Sequence, residues 1–166
     1  MEFIKKNLLA IIVAGAGVLA LILGIALEPV AELGEEVKFF DLVFGFNQKQ
    51  VIPGVGTLTM TGGLSITALV SFVALVAGIA LSVISMFKNE KLAFIGAICI
   101  AVSGVLMLLA LVVGTEVTQA MGANSMSIKF SDLYEGYKLG IGTIIYAIIA
   151  ILGGAFGILN KFKKIV

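Results

Sequence analysis

The stretch LSITALVSFVALVAGIALSVISMF (64–87), followed by Lys88-Asn89-Glu90-Lys91 and LAFIGAICIAVSGVLMLLALVV (92–113), decides the fold. Both runs are uncharged and long enough, at about 1.5 Å per residue, to cross a hydrocarbon core of about 30 Å as helices. A connector of four residues leaves the second helix no choice but to return antiparallel to the first. The centre of the chain therefore reads as a transmembrane helical hairpin.

Outward from this hairpin the pattern repeats. Residues 7–27 and 139–160 are two further uncharged spans, separated from the central pair by polar connections at 28–63 and 114–137. The first span follows a short head carrying Lys5 and Lys6, an arrangement shared with signal peptides. Its apolar run is longer than the usual 7–15 residues or so of a signal-peptide core, and no A-x-A site follows it, so it reads as a retained anchor. Composition agrees with a membrane chain: 60% of the 166 residues are hydrophobic and only 13% charged, where a soluble domain carries roughly 25% charge. Mean hydropathy is +1.18. A core this small cannot hide so much apolar surface from water.

The Lys distribution orients the spans. The head, the central turn and the tail hold Lys5, Lys6, Lys88, Lys91, Lys161, Lys163 and Lys164, against Lys38, Lys49, Lys129 and Lys138 in the two long connections. The positive-inside rule then puts both termini in the cytoplasm and both connections outside the cell membrane. Lys as the only basic residue, with many Ile and Phe, fits an AT-rich bacterial genome.

The two connections share a signature. Lys38-Phe39-Phe40-Asp41-Leu42-Val43-Phe44-Gly45 returns as Lys129-Phe130-Ser131-Asp132-Leu133-Tyr134-Glu135-Gly136, with Lys, Phe, Asp, Leu and Gly matched at an offset of 91. Shifted by 75, the second span aligns Gly78 with Gly153 and Lys88 with Lys163; shifted by 87, Gly17-Val18-Leu19 aligns with Gly104-Val105-Leu106. The chain thus divides into two tandem two-span repeats, 1–87 and 88–166, related by a pseudo-two-fold axis along the membrane normal. The offsets 91 and 75 differ by 16, the length of 46–61. That segment reads as a hairpin inserted in the first copy only, with strand-prone arms around Pro53-Gly54-Val55-Gly56.

Small residues mark packing faces, because in lipid they let helix backbones approach closely. Ala16, Ala20 and Gly24 line one face of the first span, Ala74, Gly78 and Ser82 one face of the second, and Ala97 and Ala101 one of the third. Gly153 and Gly157 do so on the fourth. These faces read chiefly as packing within the chain, with contact between protomers as the alternative.

Several chemistries are excluded or weakened. No His is present and the single Cys99 lies inside an apolar run, so imidazole-based metal binding or catalysis and an intrachain disulfide have no residues to use. No metal site or cofactor is expected, and the acidic run Glu28, Glu32, Glu35 and Glu36 fits no defined calcium loop. A net charge of +1 argues against nucleic-acid binding. Gly15-Ala16-Gly17-Val18-Leu19-Ala20 matches a dinucleotide fingerprint, but it lies mid-span, where its glycines read as packing residues.

With no charge inside any span, proton-coupled transport lacks its usual groups. Ser65, Thr67, Ser71, Ser82, Ser103, Thr143 and Tyr146 are left either to bond carbonyls one turn back or to line a polar path. Asp41 and Asp132 are read as caps of the chain entering each following span, with Gly45 and Gly136 allowing a bend; paired carboxylates are the alternative. Phe39, Phe40, Phe44, Phe46, Phe130, Tyr134 and Tyr137 read as an interfacial aromatic belt, with a sticky surface for a partner as the alternative.

Four spans, a long first outer connection with strand-prone arms, a short inner turn and a shorter second connection resemble the claudin-type tetraspan arrangement. The F-x-D-L-x-x-G segment ahead of a glycine-rich span is similar to small uncharacterised four-span membrane proteins of low-GC Gram-positive bacteria. The claudin likeness is one of architecture, and it implies a left-handed bundle under a small extracellular sheet pairing 37–44 with 128–134. The expected fold is therefore an all-α integral membrane protein: a four-helix transmembrane bundle of two tandem hairpins, under a small outer cap with room for β-strands. The expected function is a non-enzymatic membrane scaffold or accessory protein acting through its extracellular face. Its partners would be the lipid bilayer and either a second copy or another membrane protein. A small transporter or channel at the repeat interface is the alternative.

Overall fold

A computed structural model describes residues 2–27, 30–31, 38–52, 56–89, 91–110, 116–121, 124–129 and 138–163. The order along the chain is α1 (Glu2–Ala26), β1 (Val30–Ala31), α2 (Phe39–Phe44), β2 (Phe46–Ile52), β3 (Gly56–Gly62), α3 (Ile66–Ser85) and α4 (Lys91–Ala110). There follow β4 (Glu116–Met121), β5 (Asn124–Lys129), β6 (Lys138–Leu139) and α5 (Ile141–Lys163). Four of the helices are long and apolar enough to cross a membrane, over Asn7–Ala26, Ile66–Ser85, Lys91–Ala110 and Ile141–Asn160. The chain is a multi-pass membrane protein built on a four-helix bundle.

Local chemistry sets the helix starts. Ser65 caps α3 by accepting a hydrogen bond from the Ala68 amide at 3.3 Å. In the central turn the Asn89 side chain accepts from the Lys91 amide at 2.9 Å and so starts α4 within a few residues of the end of α3. Around the bundle α1 packs on α3, α3 on α4, α4 on α5 and α5 back on α1, while α1 and α4 meet more weakly across the diagonal. Neighbours in this ring run antiparallel, with α5, the last span, closing the ring on α1, the first. Exchange of α1 with α4 and α3 with α5 is the operation that a two-fold axis down the centre would perform.

Small side chains, alanine and serine above all, mark much of the inside of the bundle. Ala10, Ala14, Ala20, Ala68, Ala93, Ala97, Ala110, Ala147 and Ala150 are buried, while Ile22, Val73, Val105, Ile148 and Leu152 are exposed. Lipid solvates a large aliphatic side chain as well as a protein interior does, so close backbone approach decides which face turns inward.

The two connections meet at one end in a four-stranded antiparallel sheet of order β2-β3-β4-β5. Hairpin β2–β3 runs from Phe46↔Gly62 to Ile52↔Gly56, and β3 then pairs with β4 from Leu58↔Met121 to Gly62↔Val117. A second hairpin, β4–β5, runs from Glu116↔Lys129 to Met121↔Asn124. Separately, Val30 pairs with Leu139 and Ala31 with Lys138, which ties the exit of α1 to the entrance of α5. At the opposite end the Phe3 and Phe87 rings lie 6.2 Å apart and hold the head of the chain to the central turn.

Two expectations about the cap need correction. Residues 39–44 form a helix, so they cannot pair with 128–134 as strands; the sheet joins the connections through β3 and β4 instead. The hairpin at 46–61 also has a counterpart, since the second connection carries β4–β5. The two hairpins lie on opposite sides of the shared signature, after Lys38–Gly45 in one connection and before Phe130 in the other. Different insertions on either side of one motif shift the alignment just as a single insertion does.

Candidate functional site

The signature segment supplies the first part of the site. α2 has one polar residue, Asp41, and its carboxylate accepts the Lys38 amide at 3.0 Å, satisfying a donor at the helix start. The helix ends where the Gly45 amide bonds the Asp41 carbonyl at 2.9 Å. Gly45 has φ +92°, and a methyl there would stand 2.6 Å from the Gly62 carbonyl oxygen, so glycine is required on two counts. Asp41 is thus a cap, as its sequence position suggests. Its partner Asp132 lies outside the described residues, as do Phe130, Leu133, Gly136, Tyr134, Tyr137 and the run Glu28, Glu32, Glu35 and Glu36; Lys129 is the last residue of β5, opposite Glu116.

With both ends closed by its own residues, α2 lies against the cap end of the bundle and buries Phe39, Leu42 and Val43. Phe39 does not belong to an interfacial belt. It is 2% exposed, and its ring lies 5.8 Å from Tyr146 of α5 and 6.2 Å from Phe72 of α3. Gly24 of α1 makes the space: a methyl there would come within 2.8 Å of the Tyr146 ring and 3.4 Å of Phe39. Phe39 therefore stops the bundle from above, between three helices.

Beneath this stopper is a polar cluster. Ser71 of α3 donates to the Ser103 carbonyl of α4 at 2.7 Å, and Ser103 Oγ donates to the Ile100 carbonyl at 2.8 Å. With both serine protons committed, the Tyr146 hydroxyl is left as donor toward Ser71 Oγ (3.4 Å) or Ser103 Oγ (3.5 Å), both long contacts. Ser71, Ser103 and Tyr146 are fully buried. Ser82 bonds back to the Gly78 carbonyl at 2.8 Å and Ser85 to that of Ser82 at 2.6 Å. Ser82, Ser85 and Ser103 thus bond carbonyls one turn back, as sequence suggests, whereas Ser71 and Tyr146 reach across between helices. Among the described residues no group of three or more His, Cys, Asp or Glu is placed to hold a metal ion.

The small-residue faces meet within this chain. Gly153 lies against Ala16, and Gly157 against Val13 and Ala97. Gly78 lies against Ile100 and the Gly96 carbonyl oxygen, while Ser82, on the same face, packs over Gly96. Ala20 is buried, whereas Ala74 and Ala16 are only half-buried. Sequence reasoning missed three further close approaches, at Gly96, Gly104 and Gly154. A methyl at Gly154 would stand 2.5 Å from the Ala97 carbonyl oxygen and 2.6 Å from the Ala101 nitrogen. The signal for Gly154 was its place beside Gly153, because successive helical residues point about 100° apart and can admit two different neighbours. The dinucleotide-like stretch splits in the same way: Gly17 admits Ile79 and Ile100, while Gly15 has nothing within 4 Å and lies on the open face.

No known family, curated protein or solved structure matches the chain. The claudin-type likeness accordingly extends no further than four spanning helices.

Proposed function

We propose that the chain is a non-enzymatic tetraspan scaffold or accessory protein of the cell membrane. On this reading it works through the sheet-bearing end, which faces outside, with both termini in the cytoplasm and self-association as one mode of action. The carrying observation is how the intramembrane polar groups are used. Ser71, Ser103 and Tyr146 are fully buried and bonded to one another or to backbone beneath Phe39, so they serve helix-to-helix contact and line no open path. The surface left for recognition is the four-stranded cap, where Asn47, Lys49, Val51, Thr57 and Thr61 are exposed. A bacterial source and a claudin-like mode, in which an outer sheet meets another membrane protein, belong to the same reading.

The test is the mass of the protein in nanodiscs or mild detergent, by native mass spectrometry over a dilution series, beside solute flux in vesicles containing it. A discrete oligomer that survives dilution, with no flux, is the expected result. A strict monomer whose vesicles carry flux would replace the scaffold by a transporter with a path at the repeat interface.

A further inference from the structure

α2 is apolar on every side except at its cap. Phe39, Leu42 and Val43 face the bundle, and the outward pair, Phe40 and Phe44, is 43% and 53% exposed. A helix that is hydrophobic all round belongs in a protein interior or in lipid, not at a water surface. The outward rings lie together at 6.1 Å, interplanar angle 18°, and both lean on Phe72, at 6.1 Å from Phe40 and 6.4 Å from Phe44. Phe72 lies six residues beyond Ile66, the first residue of α3, which sets its backbone about 9 Å along the helix. It adjoins Val73 and Val76, which belong to the exposed apolar flank of that helix. The pair therefore adjoins the lipid-facing surface of α3 close to the level where that span begins.

The chemistry of the pair agrees with that depth. Phenylalanine has no polar tip of the kind that holds Tyr and Trp at the headgroups, so two stacked Phe rings suit the acyl region. The groups that need water lie at the start of α2, where Lys38 is exposed and Asp41 binds the Lys38 amide. The Lys38, Leu42 and Gly45 amides are bonded within the segment, which lowers the cost of holding its backbone beside lipid.

We infer that Lys38–Gly45 is a membrane-dipping segment whose Phe40 and Phe44 form a binding surface for lipid acyl chains in the leaflet on the side of the sheet. It anchors that sheet to the bilayer. The inference does not depend on the scaffold reading, since a transporter could carry the same anchor.

The protein has no Trp, so single substitutions provide unique fluorophores. Phe40→Trp and Phe44→Trp would be placed in the full chain, in phosphatidylcholine vesicles containing a fraction of phosphatidylcholine brominated near the headgroup end of one acyl chain. Val73→Trp on the α3 flank and Val51→Trp on the 73%-exposed strand position serve as references. The expected result is quenching of both Phe-site probes by brominated lipid at least as strong as at position 73. Aqueous iodide should have little effect on them and should quench the position 51 probe. Quenching by iodide alone would overturn the inference, because the pair would then face water. Shielding from both quenchers would also overturn it and would assign the surface to a second copy. Val43→Leu, which leaves the outward rings in place, should keep Phe44→Trp quenched by brominated lipid even if α2 packs less well; loss of that quenching counts against the inference.

Discussion

Gly154 of α5 and Gly15 of α1 are the same residue type in the same kind of apolar helix, yet their surroundings are opposite. Backbone atoms of α4 crowd Gly154, while the nearest space around Gly15 is empty. A glycine inside a helix costs up to about 1 kcal/mol relative to alanine in intrinsic propensity. At Gly154 that cost is offset by close contact between α5 and α4; at Gly15 nothing in the bundle offsets it. A glycine in a membrane helix is therefore no marker of packing until its neighbours are known.

The strongest way to break this comparison is Gly154→Ala. Its methyl would meet backbone, which cannot rotate away, so a loss of about 3 kcal/mol is expected, at the upper end of ordinary overpacking. Unfolding in detergent, followed by circular dichroism or steric trapping, would measure it; a change below about 1 kcal/mol would mean that the α4–α5 approach is looser than described. Gly78→Ala tests a softer contact, because the methyl would lie 2.6 Å from an Ile100 side-chain carbon that can shift but also 2.8 Å from the Gly96 carbonyl oxygen. About 2 kcal/mol is expected.

Ser71→Ala sharpens the comparison from the polar side. It removes the bond to the Ser103 carbonyl, and membrane hydrogen bonds of this kind average about 0.6 kcal/mol. A loss of that size is expected, with little change in Tyr146→Phe, whose hydroxyl makes only long contacts. A loss above about 2 kcal/mol in either variant would reveal a tightly coupled network. Gly15→Ala is the one variant expected to cause no loss: stability should stay unchanged or rise by up to about 1 kcal/mol. A clear destabilisation there would show that the open face of α1 is covered by another protein.

How much of this was legible can be followed residue by residue. Asp41 and Gly45 could be read, because a cap and a bend depend on residues within four positions of each other. Phe39 could not: its neighbours Gly24, Phe72 and Tyr146 lie far away in the chain, and nothing local distinguishes it from Phe40, which turns outward. The strand-prone arms of 46–61 gave the first hairpin, but the alternation at 116–129 was too polar and too short to announce the second. The repeated signature also misled. Lys38 opens a helix and Lys129 closes a strand, so two matched residues stand in different local structures.

By itself, the sequence determined the spans, their number and their antiparallel order. Hydropathy and length are properties of contiguous residues, and a turn such as Lys88–Lys91 leaves one geometry. Only the tertiary structure decided which face of each helix turns inward, how the two connections join through β3 and β4, and where Phe39 and the Ser71–Ser103–Tyr146 cluster come together. The reason is that a bilayer and a protein core are nearly equivalent solvents for Leu, Ile and Val. Apolar pattern therefore cannot separate inside from outside, and the choice falls to which backbones can touch.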